Sequence, residues 1–240
     1  MTSGILIFQG MHVGVLPGDL TLSVDEAGNP DVNLIVSTAY NVLPLWLRIA
    51  HDNLSQARQA SEDIASKWGQ DENLNKELLI SELGPALQVF VACGIALDAL
   101  YDLLRPHAKL SKEEIKKWRE GSCKTGRADH ISEVIRRIYK LENDMLLKFK
   151  KDIKQIFKYR DMAIHPSLNL KNACARPDIP VGVDWKFSAY KFRNSEICFS
   201  STMRMLIFLY ENKCSNEEVN TQLDNVFKAL QELKVVTLNA

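Results

Sequence analysis

Apolar residues recur three and four positions apart in long segments from Asn33 onward. This spacing matches the 3.6-residue period of an α-helix and not the two-residue period of a strand. Residues 86–104 are apolar on nearly every side, which is typical of a helix that is buried on most of its faces. The pattern therefore predicts a helical protein whose core is built around this segment.

Turn and capping residues divide this helical region. The first helix is predicted over residues 34–68, with Pro44 marking either a kink or the true first turn, because proline is tolerated only at a helix start. The second is predicted over residues 72–104, with an interruption at Gly84-Pro85. The remaining helices are predicted from a Ser111 cap to Gly121, over about 130–141 behind an Asp129 cap, and over 143–164, 195–211 and 216–235.

Two segments lack the helical period. Residues 1–33 carry short β-type runs, at 5–8 and 20–24, between turn signals, which predicts a short β-hairpin or an irregular cap. Residues 166–183 are typical of a loop, and residues 184–192 alternate as in a short strand or extended arm. We therefore expect a single all-α domain, residues 1–240, divided into a cap (1–33), a helical core (34–165), a loop and arm (166–192) and C-terminal helices (193–240).

The charges are balanced over the whole chain but not along it. Thirty Lys and Arg residues oppose thirty Asp and Glu residues, so no global field draws the protein to a polyanion. Residues 109–160 nevertheless hold 16 of the basic residues and 8 of the acidic ones. Within them, Lys150, Lys154 and Lys158 are four apart on one helix face, where they could contact RNA phosphates. Lysine rows are also common on solvated faces, so both interpretations stay open.

Several classes of protein are disfavoured. Five widely spaced cysteines without a C-x-x-C pair indicate neither a disulfide framework nor a zinc site, and no histidine pair has metal-ligand spacing. We therefore expect neither a metal nor another cofactor. The longest apolar run falls short of the ~20 residues that a bilayer span needs, and the first residues do not resemble a secretory signal. We expect a cytoplasmic protein that does not contact a membrane.

Arg160 occupies a position that the helical pattern reserves for an apolar side chain. Leu146, Ile153 and Arg160 are seven residues apart, so the apolar face of this helix ends in an arginine. A guanidinium stays charged and needs a partner when it is buried. The predicted partner is Asp98, a carboxylate in the otherwise apolar stretch 95–104 of the second helix, with Asp102 one turn later on the same face.

His165 follows Arg160 by five residues and leaves the helix, because the residue before a proline is disfavoured in the α conformation. The imidazole can then turn back toward the helix end and share a site with the arginine. Histidine moves protons near neutral pH, and arginine stabilises negative charge that develops on a phosphate. This pair suits phosphodiester cleavage in RNA without a metal.

Residues 159–166, Tyr-Arg-Asp-Met-Ala-Ile-His-Pro, resemble the R-x(4–6)-H motif of the HEPN superfamily. The resemblance implies a helical bundle of HEPN type, a homodimer, and a metal-independent endoribonuclease of a toxin, antiphage or RNA-processing system. It also implies that Arg160 and His165 are catalytic and that Asp161 supports them. Ser167 stands where one group of these toxins has tyrosine, so regulation by adenylylation of that tyrosine is not expected.

Three alternatives to a ribonuclease stay open. The chain could be a non-catalytic HEPN-like module that binds RNA, a nucleotide or a protein. It could be a toxin-like subunit that depends on an antitoxin or other protein partner, contacted through residues 1–33 or 166–192. In a purely structural interpretation, Arg160 pairs with Asp98 or Asp161 for the fold and His165 caps the helix, where the dipole favours a cation.

Overall fold

The computed structural model describes residues 6–8, 11–25, 27–120, 125–165 and 170–236. The chain divides into two compact units, residues 1–42 and residues 43–240. The first is a β-ribbon and the second is helical, so the protein as a whole is mostly α-helical.

The N-terminal unit is a nested β-hairpin. The outer strands pair antiparallel with each other, and so do the inner strands. The strands are β1 (Met11–Gly14), β2 (Leu20–Val24), β3 (Pro30–Leu34) and β4 (Ser37–Tyr40). The predicted strand at residues 20–24 is confirmed. The strand predicted at 5–8 is wrong for residues 6–8, which lie outside any strand, and Ile5 lies outside the described residues.

The inner turn of this ribbon is set by local hydrogen bonds. One oxygen of the Asp25 carboxylate accepts from the backbone N–H groups of Ala27 and Asn29, at 2.9 and 2.8 Å. Gly28 adopts a φ of 85°, a region that favours glycine. The turn therefore brings β2 and β3 into register, with Leu22 opposite Val32.

The second unit contains eight α-helices among its described residues. They are α1 (Leu43–Lys67), α2 (Glu72–Leu104), α3 (Lys112–Glu120), α4 (Arg127–Tyr139), α5 (Asn143–Ile164), α6 (Trp185–Ala189), α7 (Phe192–Glu211) and α8 (Glu217–Glu232). A single 3-10 turn, Arg105–His107, follows α2, and two short strands, β5 (Cys174–Ala175) and β6 (Gly182–Val183), pair in the segment before α6.

The start of the first helix and the conformation of residues 184–192 differ from the predictions. The first helix begins at Leu43 and not at 34, so Pro44 lies in its first turn, which was one of the two predicted alternatives. Residues 34–40 instead continue the β-ribbon, where pairing overrides their helix-like spacing. The strand or arm predicted at 184–192 contains the helix α6, because the Asp184 side chain caps it by accepting from the N–H of Lys186 at 2.9 Å.

Capping explains two further helix starts. Ser111 and Glu114 exchange side-chain and backbone hydrogen bonds at 3.1 and 2.9 Å, so the predicted cap is confirmed as a capping box. Asp129 lies inside the first turn of α4 and accepts from the N–H of Gly126 at 3.2 Å. The cap predicted at Asp129 is therefore displaced by three residues. Gly121, predicted to close α3, lies outside the described residues.

The helix α2 lies at the centre of the helical unit. It packs against α1 along much of its length and also contacts α4, α5 and α7. It continues through Gly84-Pro85, so the predicted interruption is wrong. Of the described residues, one stretch, 72–107, is long and apolar enough to cross a membrane by length and composition alone, and half of its most apolar window is buried in the protein.

A buried ion pair joins the N-terminal half of α2 to the segment before α6. The guanidinium of Arg176 donates to the Glu82 carboxylate at 2.8 Å, and each side chain is only 1% exposed. The same guanidinium donates to the Phe187 carbonyl at 2.9 Å and forms a second ion pair with Asp178. The other oxygen of Glu82 accepts from the N–H of Phe192 at the start of α7. Sequence analysis missed this cluster.

Removing one partner of this pair should be costly. Arg176→Met leaves the Glu82 carboxylate buried without its cation, and we expect a loss of about 3–5 kcal/mol in the free energy of unfolding. Adding Glu82→Gln removes the stranded charge while keeping an acceptor for Phe192, so the double variant should be more stable than Arg176→Met. Urea unfolding followed by circular dichroism measures both. A double variant no more stable than the single one would contradict this account.

Candidate functional site

The site lies where the last turns of α5 face the C-terminal third of α2. Arg160, on α5, donates from Nη1 to the Asp98 carboxylate on α2 at 2.8 Å, and its side chain is 19% exposed. Its guanidinium also lies 4.2 Å from the centre of the Phe157 ring, one turn earlier on the same helix. Arg160 thus reaches the carboxylate that the sequence pattern assigned to it.

A second arginine also binds the Asp98 carboxylate. The sequence analysis did not identify it. Arg127, at the start of α4, donates from Nε to the other Asp98 oxygen at 2.5 Å. It lies 3.8 Å over the Tyr101 ring, and its Nη2 is 3.7 Å from Asp102. Asp98 therefore bridges two guanidinium groups, and removing one of them would not strand its charge.

Gly94 makes room for the arginine. A Cβ at this position would lie 2.5 Å from Cδ of Arg160, 3.1 Å from its Cγ and 3.3 Å from its Cβ. The aliphatic part of the side chain therefore lies directly on the α2 backbone, one turn before Asp98. A glycine inside a buried helix is the sequence signal that could have located this close approach.

Asp161 covers the outer edge of the guanidinium. One of its carboxylate oxygens accepts from Nε of Arg160 at 3.0 Å and from Nη2 at 2.8 Å. The Asp161 side chain is 54% exposed, so water screens this ion pair. Because Asp98 holds Nη1, the Nε–Nη2 edge is the one left for a bidentate contact with a phosphate. An exposed carboxylate thus occupies the edge through which Arg160 would bind an anion.

His165 ends α5 with an exposed side chain. Its backbone N–H donates to the Asp161 carbonyl at 2.9 Å, and its φ of −118° and ψ of 71° take the chain out of the helix. Among the described residues, its imidazole forms no hydrogen bond, ion pair or ring contact. Pro166 and Ser167, which the sequence analysis also used, lie outside the described residues.

The last turns of α5 are held from the other side by Tyr190. This side chain is buried, and its hydroxyl donates to the Tyr159 carbonyl at 2.8 Å. Burial raises the pKa of Tyr190 to about 12, so the hydroxyl stays a proton donor at any physiological pH. The backbone that carries Arg160 and His165 is therefore anchored to the segment between α6 and α7.

Two of the three lysines in the predicted RNA-binding row are bound to another residue. Lys150 and Lys154 both contact Asp129 of α4, at 2.8 and 3.2 Å. Partial burial opposes ionisation of Asp129, but the hydrogen bonds from the two lysines outweigh it and hold the carboxyl pKa below its ordinary value. Lys158 is exposed and has no ion pair within the described part of the chain.

No cluster of three or more His, Cys, Asp or Glu side chains suited to a metal ion occurs in the described residues. Comparisons with protein-family models, with curated proteins and with solved structures find no match for this chain. Its function must therefore be argued from its own residues.

The contact between Gly94 and Arg160 gives a direct test of the site's packing. Gly94→Ala should destabilise the protein by about 1–3 kcal/mol, because the new methyl group displaces the arginine. In an Arg160→Ala background the same change should cost nothing, and alanine's higher helix propensity should add up to about 1 kcal/mol. Unfolding of the four proteins in a double-mutant cycle measures this coupling. An equal cost in both backgrounds would show that Gly94 is required for another reason.

Proposed function

We propose that the protein is a cytoplasmic, metal-independent endoribonuclease of HEPN type that acts as a homodimer. The observation that carries the proposal is the end of α5, where a positioned arginine and an exposed histidine lie within one and a half turns of each other. A toxin or antiphage role accords with the same resemblance.

In this reaction each residue has a distinct task. The 2′-oxygen of the substrate attacks the adjacent phosphorus, the P–O5′ bond breaks, and the products carry a 2′,3′-cyclic phosphate and a 5′-hydroxyl. His165 transfers a proton, either from the 2′-hydroxyl or to the departing 5′-oxygen. Arg160 donates hydrogen bonds to the non-bridging oxygens, on which negative charge grows in the transition state.

Substrate binding would require Asp161 to move. The incoming phosphate competes for the Nε–Nη2 edge of Arg160, while Asp98 continues to hold Nη1. Because the Asp161 pair is screened by water and worth at most about 1 kcal/mol, a phosphate held by further contacts can displace it. Asp161 would then support the site by positioning the arginine in the absence of RNA.

The need for two proton transfers supports a dimer. One histidine can act as the base or as the acid, but the reaction needs both functions in a single turnover. Each chain offers one R-x4-H motif. A second copy of the motif, brought to the same substrate by the partner subunit, would supply the other group.

Metal-independent cleavage is the first test. Wild type should cut mixed RNA in excess EDTA and leave 2′,3′-cyclic phosphate ends, whereas His165→Ala should lose about 10²–10⁴-fold in rate. His12→Ala is the matched control, since His12 is an exposed histidine of β1. It should cut at the wild-type rate, and all three proteins should melt at the same temperature. Equal cleavage by His165→Ala and wild type would contradict the proposal.

A non-catalytic HEPN-like module that binds RNA, a nucleotide or a protein is the second candidate. It is favoured by one observation, that two carboxylates already neutralise the Arg160 guanidinium. An arginine bound in this way suits a binding or structural role as well as a catalytic one. Absence of cleavage by wild type, together with Arg160-dependent binding of RNA, would support this candidate over the nuclease.

The position of Asp161 predicts an effect on RNA affinity, whether the protein is a nuclease or a non-catalytic binding module. Asp161→Asn removes the competing charge from the arginine edge, so the affinity for uncleavable 2′-O-methyl RNA should rise by up to about fivefold. Asp144→Asn is the control, because it removes an exposed carboxylate from the first turn of the same helix. Fluorescence anisotropy measures both affinities. An equal effect of the two substitutions would indicate net charge alone, and not release of Arg160.

A further inference from the structure

The inner strands of the N-terminal ribbon expose an apolar face. Strand residues that lie directly opposite one another point to the same side, and the register pairs Leu20 with Leu34 and Leu22 with Val32. Val24, two residues beyond Leu22, lies on that side as well. These five side chains, here called the ribbon face, are between 52% and 73% exposed.

The opposite side of the same strands is polar. It carries Thr21, Ser23, Asp31 and Asn33, all of them exposed. The two inner strands therefore form an amphipathic ribbon, and the described residues of the N-terminal unit place no further layer on its apolar side. A two-stranded ribbon of this kind is at best marginally stable in water unless a further layer packs on it. We therefore expect another surface, here called the occupant, to pack on the ribbon face.

Charge restricts what that occupant can be. Residues 1–42 contain four carboxylates, Asp19, Asp25, Glu26 and Asp31, and neither lysine nor arginine. Nucleic acid and anionic lipid surfaces are repelled by such a segment. Asp31 lies on the polar side and Asp25 is bound into the turn. The ribbon face is therefore free of charge, and an equally apolar surface can cover it.

We propose that the occupant is the ribbon face of a second copy of this chain. Two ribbons stack face to face at the ~10 Å spacing of packed sheets, with Asp31 of each copy on the side away from the contact. Each copy contributes apolar surface on the order of 500 Å². The pair buries on the order of 1,000 Å², which is the lower limit of a specific protein interface. The contact is isologous, so it closes at two copies.

This inference is independent of the proposed ribonuclease. It rests on the ribbon and not on Arg160 or His165, and its readout is molecular mass and not RNA cleavage. If the helical unit also dimerises, the two contacts together join more than two copies, and loss of the ribbon contact leaves two.

Paired lysine substitutions on the two sides of the ribbon test the proposal. The double variant Leu22→Lys with Val32→Lys places two charges on the ribbon face, whereas Thr21→Lys with Asn33→Lys places them at the adjacent pair on the polar side. We expect the first variant to weaken self-association by about 100-fold or more, and the second to assemble as wild type does. Sedimentation velocity over a concentration series measures the mass of each.

Crosslinking keeps the test decisive if a lysine variant fails to fold. Relative to wild type, whose native cysteines also react, Leu22→Cys should gain a crosslink between copies with a bismaleimide that spans about 10 Å, and Thr21→Cys should gain none. A wild-type protein that stays monomeric throughout the concentration series would overturn the proposal. The ribbon face would then bind either the chain's own helices or a different protein. Equal mass of both lysine variants and wild type, or equal crosslinking of both cysteines, would overturn it as well.

Discussion

Two carboxylates of α2 connect this helix to segments that pack on it. The helix is buried on most of its faces, and a carboxylate as fully buried as that of Glu82 must be neutralised or it destabilises the fold by several kcal/mol. Glu82 is neutralised by Arg176, which brings the segment before α6 onto the helix. Asp98 is neutralised by Arg127 and Arg160, which orient α4 and α5. Two acidic side chains, sixteen residues apart, thus connect α2 to α4, to α5, to the segment before α6 and to the start of α7.

The helical content and the Arg160 position could be read from the sequence because both follow from periodicity. A long helix with a 3.6-residue apolar pattern is recognisable on its own, and a charged residue within that pattern requires a partner. Asp98 is a clear candidate because only it and Asp102 are charged in the otherwise apolar stretch 95–104 of the second helix. These features depend on neighbours within one helix, and a single sequence contains them.

The features that were missed depend on contacts between distant segments. Arg176 lies in a segment with proline and asparagine, where no periodicity marks a buried side chain. Arg127 is the first residue of α4, a position normally exposed, and only the approach of α2 makes it part of the site. Residues 34–40 have helix-like spacing but form strands, because pairing with residues earlier in the ribbon decides their conformation.

The close approach of Gly94 to Arg160 means that the two positions cannot change independently. Any larger residue at 94 would push the arginine away from Asp98, and any shorter residue at 160 would leave a gap beside the glycine. The glycine and the aspartate, spaced G-x-x-x-D on one helix, and the R-D-x-x-x-H segment on another therefore form a single pattern in two parts. Distant relatives can be sought by requiring both parts together, even where the rest of the sequence has diverged.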